Sequence, residues 1–303
     1  MKILAIILTY NEEIHLERCL SRLKNIVTDI WVVDSFSTDR TEEIAYKYDA
    51  RFMQNKFVNH AAQFKWALAQ VPPDIDWIMR VDADEYLSHQ YVDDISRCLH
   101  KLSPEIKGVY CRKYRVFQGK LIRFGAVNGV TLGIWKRGCA EMETRWMDEH
   151  LKLLSGESVV FRGGLIDHNL QPLSWWTAKH NGYSSREVIE ILNQQYKFDI
   201  SRDNQKISIK SQASIKRFIK EQIYNKLPCG VRPFMYFCFR YFFALGFLDG
   251  FAGFSFHFLQ GFWYRFLVDV KLKEVERIMN ENSLDVVVAI KKVLDVDVAQ
   301  KNT

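Results

Sequence analysis

The stretch KILAIILTYNEE, residues 2–13, decides the fold of the first half of this 303-residue chain. Its near-continuous aliphatic run ends in polar residues and leads into EEIHLERCLSRL, where apolar residues recur at helical spacing. The same pattern returns at DIWVVDS (29–35), followed by TEEIAYKY, and at DWIMRVDA (76–83), followed by YVDDISRCLHKL. Aliphatic strands separated by helices predict βαβ units and a parallel sheet that is covered on both faces.

Polar residues close each of these three strands. They are Thr9, Tyr10, Asn11 and Glu12 after the first strand, Asp34 and Ser35 after the second, and Asp82 and Asp84 after the third. In open parallel sheets, ligands bind at the carboxyl ends of the strands. The sequence therefore predicts a ligand site at this edge of the sheet.

The composition predicts a folded chain with one large domain, or one domain and an appendage. Hydrophobic residues make up 48% of the chain and charged residues 26%, which excludes global disorder. The net charge of +6 suits phosphate-bearing ligands or an anionic membrane surface. Six cysteines without a C-x-x-C pair are neither a zinc framework nor a disulfide scaffold, and they fit a reducing compartment. The N-terminus lacks the small-residue cleavage site of a signal peptide, so we interpret it as a buried strand.

The chain changes character after its first hundred residues. Residues 107–168 contain shorter β-like pieces and the turn QGK, which predict added antiparallel strands. About half of residues 234–266 are Phe, Tyr or Trp, but charged residues interrupt this run, whereas a spanning helix needs about 20 apolar residues. We expect aromatic, amphipathic helices in a membrane interface, approached through the basic segment 202–232. The alternative is a buried helical pair packed on the main domain or on a second subunit of a homo-oligomer.

The pair Asp82 and Asp84 points to a metal ion. An extended chain directs residues i and i+2 to the same side, so both carboxylates would project together. Two adjacent carboxylates are costly unless a cation lies between them or one stays protonated. An oxygen site of this kind suits Mg²⁺ or Mn²⁺ shared with substrate phosphates. The alternative is that Asp84 or Glu85 caps the next helix.

Three motifs together resemble glycosyltransferase family 2, the inverting nucleotide-sugar transferases with a GT-A fold. LTYNEE (8–13), VVDSFSTDRT (32–41) and RVDADE (80–85) occur in this order, each at the end of an aliphatic strand. The resemblance implies an α/β architecture, with a GT-A (Rossmann-like) mixed sheet flanked by helices in a catalytic domain of residues 1–200. Residues 201–303 are then an aromatic-rich, helical C-terminal extension that associates with a membrane.

The resemblance also implies which residues bind the donor. In this family the first two strand ends carry the nucleoside, and a helix similar to NHAAQFKWALAQ approaches it. The residues that match the nucleotide-sugar-binding positions are Thr9, Tyr10, Glu12, Asp34, Lys65 and Asp82. Asp39 matches a later acid of the second motif, but a cap of the following helix explains it equally well.

Metal and catalytic positions follow from the same resemblance. Asp84 matches the ligand of Mn²⁺ or Mg²⁺, with Asp82 as a second ligand and His168 as a third. The acidic pair in DEHL supplies the general base that takes the proton of the acceptor hydroxyl, because inversion proceeds by a single displacement. We favour Glu149 over Asp148 as this base, and His150 stays an alternative.

The resemblance implies sugar transfer from a nucleotide sugar, taken as UDP-linked, to a lipid-linked or lipopolysaccharide acceptor at the cytoplasmic face of the bacterial inner membrane. LIDHNLQPLSWWTAKHNGYSSRE (165–187) is similar to the branch with lipopolysaccharide-core β-glucosyltransferases. The absent Q-x-x-R-W signature favours addition of a single sugar. One alternative is a sugar nucleotidyltransferase, but LTYNEE lacks its glycine-rich phosphate loop. Another is a non-catalytic membrane-surface protein, and the aromatic residues look interfacial rather than suited to nucleic acid.

Overall fold

The computed structural model describes residues 1–142, 151–198 and 227–298. The described residues separate into two compact units, of which the first extends to Leu170 and the second begins at Gln171. The helix Leu173–Tyr196 therefore belongs to the second unit, although the sequence analysis placed it before a boundary at residue 200.

Strands and helices alternate in the first part of the first unit. Its described strands are β1 (Ile3–Thr9), β2 (Asp29–Asp34), β3 (Arg51–Gln54), β4 (Trp77–Arg80), β5 (Glu85–Leu87), β6 (Ile106–Phe117), β7 (Lys120–Ile122), β8 (Gly129–Lys136), β9 (Ala140–Met142), β10 (Leu151–Leu153) and β11 (Glu157–Asp167). Its described helices are α1 (Glu13–Leu23), α2 (Thr41–Lys47), α3 (His60–Leu68), α4 (His89–Cys98) and a 3₁₀ turn (Leu99–Lys101).

The large sheet of the first unit is mixed. Its strand order is β3-β2-β1-β4-β8-β6-β11-β5, with β7 beside β6, and β9 pairs with β10 separately. The strands β1 to β4 are parallel to their neighbours among themselves, as predicted. The added strands β7 and β8 are antiparallel to β6, also as predicted, whereas β11 runs parallel to β6. The chain between Phe117 and Glu157 is long enough for the crossover that a parallel pair requires.

Strand β1 shows why its aliphatic run is almost unbroken. Successive residues of a strand point to opposite faces of the sheet. Ile3 and Ile7 belong to the core under α1, α2 and α4, whereas Leu4 and Ile6 belong to the core under α3. Both faces of the strand are therefore covered, and the predicted α/β mixed sheet with flanking helices is confirmed.

Two glycines let β11 pass close to its neighbours. A Cβ atom on Gly163 would lie 2.1 Å from the backbone nitrogen of Tyr91, and one on Gly164 would lie 1.8 Å from the carbonyl oxygen of Arg112. Asp94 of α4 accepts the N–H of Gly163 at 2.9 Å, and the register with β6 shifts just before Gly164. The next three residues of β11, Leu165–Asp167, pair with β5.

The second unit is helical in its described residues. Its helices are α5 (Leu173–Tyr196), α6 (Val231–Cys238), α7 (Gly250–Phe256), α8 (Tyr264–Asn282) and α9 (Val286–Leu294), with π-helical turns at Phe239–Phe243 and His257–Trp263 and a 3₁₀ turn at Gly246–Asp249. Aliphatic residues of α5, α8 and α9 form its core. Glu187 of α5 is buried there and accepts hydrogen bonds from Tyr264 (2.6 Å) and Arg265 (2.5 Å) of α8. The helical C-terminal region predicted from the sequence is confirmed.

Between residues 231 and 266, many apolar side chains are exposed and several charged side chains are buried. Many phenylalanines point outward, and Phe243 and Phe251 are 80% and 77% exposed. Charged residues point inward: Arg232 and Arg240 are both buried, and Arg232 Nε donates to Asp269 at 2.8 Å. The apolar face of this segment is therefore presented to the surroundings of the chain.

No single helix among the described residues combines the length and apolar composition needed to cross a bilayer. The two helical stretches Val231–Phe243 and Gly246–Asn282 meet that test together, and they are bent by 72° relative to each other. Gly246 lies in this bend, where a Cβ atom would be 2.5 Å from the ring of His257. A larger residue at this position would collide with a buried ring.

Candidate functional site

The acidic motif forms a tight turn after β4. The strand ends at Arg80, and the N–H of Glu85 donates to the carbonyl of Asp82 at 2.9 Å. Asp82 and Asp84 therefore lie on a turn and not on the extended strand expected for them, so the prediction that both carboxylates project together loses its geometric basis. Within this turn the carboxylates of Asp82 and Asp84 have different neighbours.

Basic side chains of the chain itself balance the charge of Asp82. Arg80 Nε donates to Asp82 Oδ1 at 3.2 Å, and Lys113 Nζ of β6 lies 3.7 Å from Oδ2. Partial burial opposes ionisation, yet Arg80 and Lys113 hold the pKa of this carboxyl below its usual range. Asp82 is thus ionised and paired, and its predicted contacts to metal and nucleotide stay predictions.

Lys113 also joins Asp82 to Glu85. Glu85 is buried, its Oε2 accepts the N–H of Asp82 at 3.1 Å, and its Oε1 lies 2.5 Å from Lys113 Nζ. Burial raises the pKa of the Glu85 carboxyl, which Lys113 counteracts. Burial lowers the pKa of Lys113, but the two carboxylates outweigh it and raise that pKa, so the ammonium stays charged. Lys113 was not among the residues predicted from the sequence. Its one signal there is a second basic residue, Arg115, two positions further along β6 and therefore on the same face of the strand.

Asp84 lies beside His168. The N–H of His168 donates to the carbonyl of Asp84 at 3.1 Å, which continues the pairing of β5 and β11 beyond Glu85 and Asp167. Asn169 Nδ2 donates to Asp84 Oδ2 at 3.1 Å. The structure thus brings together two of the predicted metal ligands, which are 84 positions apart in the sequence.

Asp84 and His168 lie opposite each other beyond the pairing of β5 and β11, and a carboxylate and an imidazole are both groups that a divalent cation can bind. Burial, followed by nearby Arg18, lowers the pKa of His168, which favours the neutral imidazole that binds metals. Within the described residues no cluster of three or more His, Cys, Asp or Glu side chains could enclose a metal ion. Mg²⁺ is commonly held by one or two carboxylates together with substrate phosphates, so an open pair of protein ligands suits it.

The end of β2 is organised around the buried carboxylate of Asp34. It accepts hydrogen bonds from Thr9 Oγ1 at 2.9 Å and from the backbone N–H and hydroxyl of Ser37 at 2.7 and 2.5 Å. A carboxylate offers about four acceptor positions, and these three contacts occupy most of them. Thr9 and Asp34, both predicted nucleotide ligands, therefore lie in direct contact at the sheet edge.

Asp39 stabilises two helix starts. Its Oδ2 accepts the N–H of Glu13 in α1 at 3.0 Å, and its Oδ1 accepts the N–H of Thr41 in α2, also at 3.0 Å. Negative charge is favourable at helix N-termini. These contacts place Asp39 at the helix starts, as the cap interpretation predicts, although the N-cap residue of α2 is Arg40.

The remaining predicted donor ligands occupy different environments. Tyr10 is largely exposed beside Thr9, whereas Glu12 Oε2 lies 2.6 Å from Nδ1 of His15. Lys65 is exposed on α3.

Helix α3 also presents a buried polar side chain that the sequence analysis did not select. Gln63 Nε2 donates to Ser35 Oγ at 3.2 Å, and Gln63 Oε1 accepts from Asn55 at 2.8 Å. Gln63 is the α3 side chain that reaches the end of β2. The role of Lys65 stays a prediction.

The predicted catalytic acids, Asp148 and Glu149, lie outside the described residues, as does His150. Their assignment as alternatives for the general base therefore stays a prediction.

Comparison with known proteins identifies the sequence family. Residues 4–170 match the model of the family described as Glycosyl transferase family 2. An uncharacterized glycosyltransferase of Rickettsia bellii is 38% identical over 94 residues, which are 31% of this chain and 31% of that protein. The similar protein of Rickettsia felis is also 38% identical over 94 residues, 31% of this chain and 32% of its own length. The match thus spans about a third of these relatives.

Of two similar solved structures, one covers most of the chain and the other covers little more than a third of it. TarS 1-349 of S. aureus, in complex with UDP-GlcNAc, is 14% identical and has a TM-score of 0.45, covering 97% of this chain and 92% of that one. Glucosyl-3-phosphoglycerate synthase of Mycobacterium tuberculosis, with Mn²⁺, UDP and glucosyl-3-phosphoglycerate, is 19% identical and has a TM-score of 0.31, covering 38% and 44%. The family assignment depends on the sequence match.

Proposed function

The chain belongs to glycosyl transferase family 2, and from this membership and the geometry of its acidic turn we propose that it transfers a sugar from a UDP-sugar to an acceptor hydroxyl with inversion. The observation that carries the proposal is a backbone hydrogen bond of 3.1 Å from the N–H of His168 to the carbonyl of Asp84, in the turn that follows β4. Strand β1 pairs with both β2 and β4 in parallel, so Thr9 and Asp34 end at the same edge. The proposed donor and metal positions would therefore lie at the same edge of the sheet.

Each side chain at this edge has a defined task in the proposed reaction. Thr9 and Asp34 hold the nucleoside, and the ion pair of Arg80 with Asp82 orients the turn that faces the diphosphate. Asp84 and His168 hold a divalent cation, Mn²⁺ or Mg²⁺. When bound, this cation neutralises the charge that develops on the leaving nucleoside diphosphate. Glu149 takes the acceptor proton as the hydroxyl attacks the anomeric carbon, with Asp148 as its alternative.

The proposal is tested by incubating the purified chain with UDP-glucose, UDP-galactose and UDP-N-acetylglucosamine, with Mn²⁺ or with EDTA. We expect donor turnover with at least one of these sugars, lost when EDTA removes the metal and restored by added Mn²⁺. Turnover that is indifferent to EDTA would contradict the metal site. The absence of turnover across the panel, both with a glycolipid extract as acceptor and without one, would contradict the activity.

We further propose that the acceptor is lipid-linked, such as a lipopolysaccharide precursor, and that the enzyme works on the cytoplasmic face of the bacterial inner membrane as a peripheral or monotopic protein. The outward phenylalanines of residues 231–266 support this, because aromatic side chains settle at the membrane interface. The preceding segment 202–232 is rich in Lys and Arg and suits anionic lipid. An enzyme held on the bilayer would meet a lipid-linked acceptor there.

Replacing both Phe243 and Phe251 with serine is expected to weaken membrane binding. Full burial of one phenylalanine contributes about 1.5–3 kcal/mol, so losing both side chains should lower the partition coefficient by at least roughly 100-fold. Co-flotation with vesicles of phosphatidylethanolamine and phosphatidylglycerol measures this directly. The matched control is Val160→Ser, which removes an exposed apolar residue of the first unit and should float like the unchanged chain. Equal flotation of all three proteins would contradict membrane contact through this face.

A further inference from the structure

One face of helix α1 contacts both segments that carry the proposed metal ligands. Arg18 Nη2 donates to the carbonyl of Asp84 at 3.2 Å and to the carbonyl of His168 at 2.5 Å. The guanidinium carbon also lies 4.8 Å from the centroid of the ring of Tyr86, which belongs to β5. A single side chain thus spans the gap between the acidic turn and the end of β11.

His15, three residues earlier on the same helix, makes a parallel connection. It is buried, and its Nε2 accepts the N–H of Leu170 at 2.9 Å. Because Nε2 accepts, the ring proton is on Nδ1, which lies 2.6 Å from Oε2 of Glu12. Residues three apart on a helix share a face, so His15 and Arg18 act on the segment 168–170 together.

The position of Arg18 has a consequence for the sheet. The pairing of β5 with β11 ends at Glu85 and Asp167, immediately before Asp84 and His168. Beyond this point the N–H of His168 still donates to the Asp84 carbonyl. Arg18 donates to the same Asp84 carbonyl and also to the carbonyl of His168. The planar guanidinium fixes the spacing of the groups that it binds more strictly than a lysine would.

We propose that Arg18 is a positioning residue that holds Asp84 and His168 at the separation at which both can bind one divalent cation. Arg18 would touch neither metal nor substrate, and it would act through the two backbone carbonyls. This inference rests on the proposed function, because it assumes that Asp84 and His168 are the metal ligands. Outer residues that orient metal ligands commonly contribute 10- to 100-fold to metal affinity.

The test compares Arg18→Met, Arg18→Lys and Arg22→Met with the unchanged chain. Arg22 lies four residues further along α1 and its guanidinium reaches His89 at 3.4 Å, so Arg22→Met removes an equivalent side chain from the same helix but not from the site. Mn²⁺ binding is titrated by electron paramagnetic resonance at saturating UDP. We expect roughly 10- to 100-fold weaker Mn²⁺ binding for Arg18→Met, a smaller loss for Arg18→Lys, and no change for Arg22→Met.

Turnover supplies a second readout that a merely structural role would not change in this way. Arg18→Met should need more Mn²⁺ for half-maximal rate yet recover most of its kcat at saturating Mn²⁺. Unchanged Mn²⁺ affinity in Arg18→Met would overturn the inference. If Arg18→Met does not fold, Arg18→Lys decides the question, since a folded lysine variant with unchanged Mn²⁺ affinity would also overturn it. Absence of Mn²⁺ binding by the unchanged chain would instead contradict the proposed function itself.

Discussion

Replacing Asp84 with alanine is expected to abolish sugar transfer while the first unit stays folded. The substitution removes the side chain of the proposed metal ligand that lies opposite His168 in the pairing of β5 and β11, and with it the charge that would hold the cation against the leaving diphosphate. Metal stabilisation of a transition state contributes several kcal/mol, which corresponds to a rate loss of roughly 1,000-fold. Initial rates at saturating UDP-sugar and Mn²⁺ measure the loss.

Asp93→Ala is the matched control for Asp84→Ala. Asp93 is an exposed acid of α4, so its removal should leave the rate unchanged. Thermal unfolding of both variants without metal shows whether the fold persists. A folded Asp84→Ala protein that retains full turnover would contradict the assignment of Asp84 as a metal ligand.

Replacing Glu149 with glutamine is expected to stop transfer without weakening donor binding. Glutamine keeps the size of the side chain but cannot take the proton of the acceptor hydroxyl. A general base typically contributes 10²- to 10⁴-fold to the rate. The rate of transfer should therefore fall by about this factor, while the affinity for UDP in the presence of Mn²⁺ stays the same. Rates and UDP titrations on one preparation give both quantities.

Asp148→Asn separates the two adjacent acids. If Glu149 is the base, the loss of kcat should be much smaller for Asp148→Asn than for Glu149→Gln. The reverse order would transfer the role to Asp148. Full turnover in both variants would exclude this acidic pair as the base and leave His150 as the candidate.

Much of the first unit could be predicted because its strands are buried on both faces. The run from Ile3 to Leu8 has no polar residue, and this is the requirement of a strand covered by helices on both sides. The polar residues Thr9 and Asp34 then follow at strand ends that meet at one edge, so their direct contact of 2.9 Å agrees with the strand order. Local pattern and parallel topology were sufficient here.

The electrostatics of the acidic turn could not be predicted from the local sequence. Repulsion between neighbouring acids suggested a metal between Asp82 and Asp84, yet Asp82 is paired with Arg80 and Lys113. Lys113 comes from β6, and only the pairing of β6 with β11 and of β11 with β5 brings it near the turn. Long-range strand pairing of this kind leaves no mark in the residues around the turn.

The same limit applies to the helix that supports the site. The apolar pattern predicts the buried face of α1 at Leu16, Leu20 and Leu23, whereas Ile14, the fourth residue of that pattern, is exposed. It does not show that Arg18 reaches two carbonyls that lie 66 and 150 positions further along the chain. Polar contacts between residues this far apart in the sequence could be identified only from the tertiary structure.

The position of the bound metal decides whether this edge of the sheet is the donor site. Crystals of the chain grown with UDP and Mn²⁺ give the metal position from anomalous scattering. We predict one peak within about 2.1–2.3 Å of both an Asp84 carboxylate oxygen and a ring nitrogen of His168, with the UDP diphosphate completing its coordination. A Mn²⁺–UDP complex bound elsewhere on the chain, with Asp84 and His168 making no contact to it, would contradict the proposed site.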